Sequence, residues 1–196
     1  MAQEFESREK ILSYVEDLKV LTGFRDTDCD TLRRYRDVAL RWGPSIVKEF
    51  YDTLFSYPPT ASVFRPGERA RRERALGEWY GRLFEGECGE DFWLWQWYVG
   101  VVHIKRKIYN RYMLAMTSRL QQIFLEKALG ELPRHEAVRL YTAFKRLTDV
   151  IAGIIAEGYH LTYIESLEAV AGINPVLAER MMRIHIERAL EKYRRR

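Results

Sequence analysis

Cysteine is almost missing from this chain: Cys29 and Cys88 are the only two in 196 residues. They lie far apart, outside any CxxC and without a histidine neighbour, a spacing that predicts neither a zinc finger nor a disulfide framework. Long apolar runs are missing too. No stretch of about 18 uncharged apolar residues occurs, so no segment is expected to span a membrane. The start, residues 1–10, is charged and lacks the basic-then-apolar order of a signal peptide. A soluble cytoplasmic protein is the expectation. Period-two alternation is absent over any useful length, which argues against a β-sheet protein. Internal repeats and low-complexity segments are absent. No HxxxH or HExxH pair occurs, which argues against a zinc hydrolase, and no flavin or nicotinamide motif is present to supply electrons.

Charge of one sign is also scarce in bulk: 32 basic residues face 28 acidic ones, for a net charge of +4. Interspersed charges of this kind mark solvated helix faces, and no nucleic-acid partner is expected. Local basic surpluses stand at Arg69–Arg74, at Lys105-Arg106-Lys107 and at Arg194-Arg195-Arg196. They read as plain surface or termini, or as groups that hold an anionic substituent of a ligand.

What is abundant is apolar and aromatic mass. Apolar residues make up 47% of the chain and aromatic ones 13%, including five Trp and twelve Tyr. That suffices for one substantial core, and it suits a cavity with flat walls as well as a tightly packed interior. Helical periodicity runs nearly throughout. Residues 6–20 place Ile11, Tyr14, Val15 and Leu18 on one face. Asp26-Thr27-Asp28 starts a second helix that runs through Trp42, where Gly43-Pro44 is expected to break or bend it. Pro44 then opens a third helix over Ser45–Leu54, which Tyr57-Pro58-Pro59 ends. A turn-rich stretch with Phe64-Arg65-Pro66-Gly67 follows. Residues 68–85 resume the pattern with Leu76, Trp79, Tyr80 and Leu83 inward, and the next helix carries His103. Two long helices, 108–130 and 134–170, and a last one at 175–193 complete the chain. The fold class is all-α. Residues 1–20 read as an extra N-terminal helix, 21–172 as the central domain and 173–196 as a basic C-terminal helix.

The segment that carries chemistry is Phe92 to Ile104, a run of aromatic and aliphatic residues with His103 at its end. Such a run can bury a large flat apolar molecule, and a neutral imidazole at its edge can ligate a metal. Val99 and Val102 flank the imidazole with apolar surface. Tyr51, in Glu49–Phe55, supplies a phenol that can donate a hydrogen bond to a small ligand. A lone histidine at a helix end is nevertheless more often structural, and a tyrosine more often packs. His135, His160 and His185 have weaker surroundings still. Periodicity alone leaves both readings of His103 open.

Several motifs in order change the weighting. Phe50 to Pro58, then Phe64, resembles the F-Y-x-x-L…P…F signature of sensor globins. Trp79 to Gly86 resembles their Y-x-x-x-L-F-x-G segment. Val99-Gly100-Val101-Val102-His103 is similar to their hydrophobic-Gly-x-hydrophobic-His motif, in which the histidine is the proximal iron ligand. Tyr112 to Ala115, Leu147 to Asp149, Tyr163 to Leu167 and Gly172 to Pro175 are similar to the family's later helices. The resemblance covers residues 20–180 and identifies the chain with the globin-coupled sensor and protoglobin lineage.

It implies a globin fold with an extra N-terminal helix and a short C-terminal helical extension, holding haem b with its iron on His103. Tyr51 matches the distal tyrosine. Phe55, Phe64, Leu76, Trp79, Val99, Val102, Ile108 and Tyr112 are the expected pocket walls. The distal face aligns on Arg72 and Leu76, with Arg72 directed outwards to a haem propionate or the register shifted by one turn. After the histidine, where relatives commonly have Gly-x-Pro-Pro, this chain has Lys107-Ile108-Tyr109-Asn110.

The resemblance further implies reversible binding of O₂, CO or NO, as a gas sensor or carrier without its own transmitter domain and without enzymatic activity. A charge-assisted bond from Tyr51 to bound O₂ would contribute about 1.5–3 kcal/mol. A homodimer through helices 108–130 and 134–170 is expected, with the basic tail either docked on the globin body or free for a separate output protein. Two alternatives stay open. One is NO or peroxide detoxification with an external reductase. The other is a haem-free helical signalling dimer, which has no need for both His103 and Tyr51.

Overall fold

The computed structural model describes residues 7–194. The described residues form helices α1 (Arg8–Thr22), α2 (Asp26–Arg34), α3 (Arg36–Ser56), α4 (Pro58–Ala61), α5 (Arg69–Arg82), α6 (Glu90–Lys105), α7 (Asn110–Glu131), α8 (Arg134–Ala171) and α9 (Pro175–Arg194), with no strand among them. The all-α expectation holds, and apart from the second and third helices the ends lie within a few residues of those read from periodicity. Residues 1–6, with the start of the expected first helix, and Arg195-Arg196 of the basic terminus lie outside the described residues.

Two compact units divide inside α8, one reaching Ala156 and one beginning at Glu157. The first holds a core of stacked aromatic rings. Phe124 of α7 and Phe144 of α8 lie 3.9 Å apart between centroids, nearly parallel, and Phe84 stacks on both at 6.0 Å. Trp42 of α3 meets the edge of Phe124 at 5.5 Å. Each such pair adds about 0.5–1.5 kcal/mol beyond the burial itself. Tyr80 is buried against this core and satisfies its hydroxyl by donating to the Ala39 carbonyl at 3.0 Å.

The break expected at Gly43-Pro44 is not there. Helix α3 runs unbroken through Pro44, and the chain kinks earlier, at Tyr35. An internal proline costs about 3 kcal/mol. Trp42, Ile46, Val47 and Tyr51 are all buried along one side of α3, and each is worth roughly 1.5–3 kcal/mol there. Burial along the continuous helix outweighs the proline. Tyr35 is held at the kink by its hydroxyl, which donates to Glu136 at 2.7 Å.

The expected absence of a disulfide is also overturned. Cys29 of α2 and Cys88, in the turn before α6, form a disulfide with Cα atoms 6.4 Å apart. Sequence spacing carried no sign of this, because the fold brings the two segments together over 59 residues. The same turn is fixed by Trp93, whose indole N–H donates to the Cys88 carbonyl at 2.8 Å.

Helix α1 packs on α6 and buries Ile11 and Val15. Its Leu18 also presses on Gly153 of α8, where a Cβ would meet the Leu18 side chain at 2.5 Å, too close to exist without a shift. The second unit comprises the end of α8 and α9. No residue of α9 is buried, and Leu177, Met181, Ile184 and Leu190 are exposed along it.

Candidate functional site

Helix α6 owes its place to Gly100. A Cβ there would lie 3.3 Å from the Ile155 backbone, so the glycine lets α6 and α8 approach closely. His103 follows three residues later and looks into a cavity of about 520 Å³, mostly apolar in lining. That volume is in the range of roughly 300–1,000 Å³ usual for cofactor sites. One wall comes from α3 to α5, with Tyr51, Phe64, Leu76 and Trp79. The other comes from α6 to α8, with Val99, Val102, His103, Ile108, Tyr112 and Ile155.

The His103 ring is held in one orientation. Its Nδ1 lies 2.7 Å from the Val99 carbonyl oxygen. A carbonyl only accepts, so Nδ1 carries the proton and the lone pair is left on Nε2. Burial lowers the imidazole pKa below its ordinary value and Arg106 adds to the effect, against an opposing contribution from the Val99 bond. The neutral ring with a free Nε2 is the form that ligates a metal.

Across the cavity, Tyr51 is buried and packs against Phe64 at 5.9 Å. Burial pushes its phenol pKa up to about 12, so it remains a donor at neutral pH. Its hydroxyl donates to the backbone carbonyl of Arg72 at 3.0 Å. Trp79 is oriented by Gln96, whose side-chain oxygen accepts the indole N–H at 3.0 Å.

At one edge stands a cluster that the sequence did not announce. Glu68, buried at the entry to α5, accepts from Arg106 on both oxygens at 2.9 and 2.8 Å. Arg72 reaches the same carboxylate at 3.0 Å, Arg71 at 2.7 Å and the Arg65 backbone N–H at 3.1 Å. These bonds hold the carboxyl far below the usual range, with Arg106 the largest cause and Arg72 next. Arg72 and Arg106 also line the cavity. Among the described residues no group of three or more His, Cys, Asp or Glu side chains could hold a metal ion. His103 is the one histidine facing the cavity.

The profile of the protoglobin family matches residues 13–165. The chain belongs to the protoglobin family. Its fold is that of a globin, similar to the globin domain of the Geobacter sulfurreducens globin-coupled sensor at a TM-score of 0.68 and 19% identity. That likeness covers 74% of this chain and 96% of the other. No curated protein matches the sequence.

Of the ten pocket residues expected from the sequence, this protoglobin places nine on the cavity and one behind it. Phe55 does not reach the lining; its ring packs at a tilt against Phe64 at 5.0 Å and lies beneath the Arg69 guanidinium at 5.2 Å. Arg106 was readable only as part of a basic run. The far wall, from Met113, Met116 and Leu120 of α7 to Ile151 of α8, was readable as helix interior and not as lining. Amphipathic periodicity marks a face as inward without saying whether it meets a side chain or a space.

Proposed function

We propose that this protoglobin binds haem b with His103 as the proximal ligand, and that it reversibly binds diatomic gases on the Tyr51 side. The observation that carries the reading is the Nδ1 bond from His103 to the Val99 carbonyl, which presents Nε2 to a large apolar cavity. The residues fit the group. A flat apolar macrocycle needs apolar walls and one neutral nitrogen donor, and both are present. Bound there, the haem iron would supply reversible ligation of O₂, CO or NO.

The rest falls to the chain. His103 is kept neutral and oriented, Phe64, Leu76 and Trp79 exclude water from the distal side, and Tyr51 offers a phenol hydroxyl that stays protonated at neutral pH. Nothing in this arrangement is a nucleophile or a general base aimed at a substrate, which favours a sensor or carrier over an enzyme. Exposed Leu114 and Leu129 on α7 and Val138 on α8 support self-association through these helices as a homodimer. The exposed apolar side chains of α9 leave that helix available to an output protein.

The test is spectroscopic. Purified or haem-reconstituted protein should show an intense Soret band that shifts with CO, and His103→Ala should abolish it. A protein that takes up no haem under reconstitution would end the reading.

A further inference from the structure

We propose that Glu68 is a positioning residue for Tyr51: by fixing the first turn of α5 it holds the Arg72 carbonyl that retains the Tyr51 hydroxyl, and so limits how readily that phenol turns to a bound gas. The consequence for the gas rests on the haem reading above, while the positioning belongs to the chain alone.

Local structure is the first support. Helix α5 starts after Glu68 without a side-chain hydrogen bond capping its first turn, and a helix end left so frays easily. Here Glu68 ties the turn down by other bonds. Its carbonyl accepts the Arg72 N–H at 3.1 Å, and its carboxylate accepts the Arg72 side chain at 3.0 Å and the Arg65 N–H at 3.1 Å. Arg72 is thus fixed to Glu68 through both its backbone and its side chain. The carbonyl of the same residue is the acceptor for the Tyr51 hydroxyl at 3.0 Å.

The reach of the bonds is the second support. Arg106 gives Glu68 two of them, at 2.9 and 2.8 Å, and its own backbone N–H returns to the His103 carbonyl at 3.2 Å. One continuous set therefore runs from the end of α6 through Arg106, Glu68 and Arg72 to Tyr51. After burial, the charges that act on the Tyr51 phenol are those of Arg72, Glu73, Arg106 and Glu68. Three of these four belong to the set. The Glu68 side chain is 7% exposed, so water competes little for its bonds. Charge-assisted bonds in such surroundings hold their partners more firmly than neutral ones.

The consequence is a competition for one proton. A phenol has a single O–H to donate, and the Arg72 carbonyl already takes it. The more firmly that carbonyl is held in place, the less often the hydroxyl is free to donate elsewhere. Loosening Glu68 releases Tyr51 towards the cavity without altering the phenol or His103.

The test has one readout without haem and one with it, both on the full chain. In the haem-free chain, tyrosine labelled with carbon-13 at the ring carbon bearing the hydroxyl gives a Tyr51 signal, assigned by its loss in Tyr51→Phe. Glu68→Gln should shift that signal, and Arg106→Gln should shift it in the same direction by less; the latter leaves Glu68 with Arg71 and Arg72, so folding is retained. Arg74→Gln removes a charge from an exposed position on the same helix and should leave the signal in place. In the haem-loaded chain, Glu68→Gln should slow O₂ release by up to roughly fivefold, the worth of one neutral hydrogen bond. The same substitution placed on Tyr51→Phe should leave O₂ release unchanged, because no hydroxyl remains to be freed. An unmoved Tyr51 signal in Glu68→Gln, an equal effect of Glu68→Gln with phenylalanine at position 51, or a shift in Arg74→Gln as large as that in Glu68→Gln would each overturn the positioning role while leaving haem binding standing. A chain that shows the signal shift and takes up no haem would end the haem reading and uphold Glu68 as the residue that positions Tyr51.

Discussion

The hydroxyl of Tyr51 donates to the backbone carbonyl of Arg72 at 3.0 Å, so the phenol proposed for the distal side already has a partner. A bond to bound O₂ must replace that one, and the gain is a difference. A charge-assisted bond of about 1.5–3 kcal/mol set against a neutral one of about 1 kcal/mol leaves about 0.5–2 kcal/mol. Tyr51→Phe should therefore speed O₂ release by roughly twofold to thirtyfold, less than the sequence-based expectation. Stopped-flow displacement of O₂ by CO measures it. An unchanged off-rate would remove Tyr51 from the distal role.

Acid stability follows from Glu68. Its carboxyl is held far below the unfolded value of 4.5 by Arg106 and Arg72, and Asp52 is lowered by Lys48 and Arg69. A native pKa below the unfolded one means that the unfolded chain binds protons first. The contribution is present above pH 4.5 and is lost progressively as pH falls through that value towards the depressed native pKa. Urea unfolding between pH 7 and pH 2 should show a steep loss on the acid side, and Glu68→Gln should flatten it. Equal slopes for the two proteins would show that other carboxylates govern acid unfolding.

Much of this was legible in the sequence, and the failures have physical causes. Helices were readable because apolar residues recur at helical spacing; Leu140, Phe144, Leu147 and Ile151 were expected inward and are buried. The placement of His103 beside Val99 and Val102 was readable because one turn of helix fixes it. Pro44 misled because local preference is weak against burial spread over 21 residues of α3. Phe55 misled because it lies one turn past Tyr51, close enough to share its cluster and too far round to reach the cavity. The bond of Glu68 to Arg106 and the Cys29–Cys88 disulfide were invisible because their two ends stand 38 and 59 residues apart, distances at which no local pattern carries information.

The disulfide closes a loop over 59 residues. By loop-closure entropy such a bond stabilises a domain by about 4 kcal/mol, and engineered cases often deliver less. Reduction, or Cys29→Ser with Cys88→Ser, should lower the melting temperature by on the order of 10 °C. Haem uptake at lower temperature should persist, because neither cysteine lines the cavity. Melting curves followed by circular dichroism with and without reductant decide it; superimposable curves would mean that the disulfide carries no stability.

Lys107 stands where the family resemblance implies glycine, and its backbone shows why glycine suits the place. It adopts φ of 57°, the left-handed region, and is the one non-glycine residue among those described to do so. Its N–H bonds back to the Ile104 carbonyl, and the Ile108 N–H bonds to the His103 carbonyl, so this conformation closes the end of α6. An L-residue held there costs roughly 1–2 kcal/mol, partly offset by the greater freedom glycine has in the unfolded chain. Lys107→Gly should stabilise the protein by about 0.5–1 kcal/mol and raise the melting temperature by about 1–4 °C. Lys107→Val should lower it, since a β-branched side chain tolerates positive φ least. The Nδ1 bond from His103 to Val99 lies a full turn earlier, so haem spectra of both variants should match the wild type. Parallel thermal melts and ferrous-CO spectra test both halves; a Lys107→Gly protein that melts lower would show that the lysine side chain contributes more than its backbone costs.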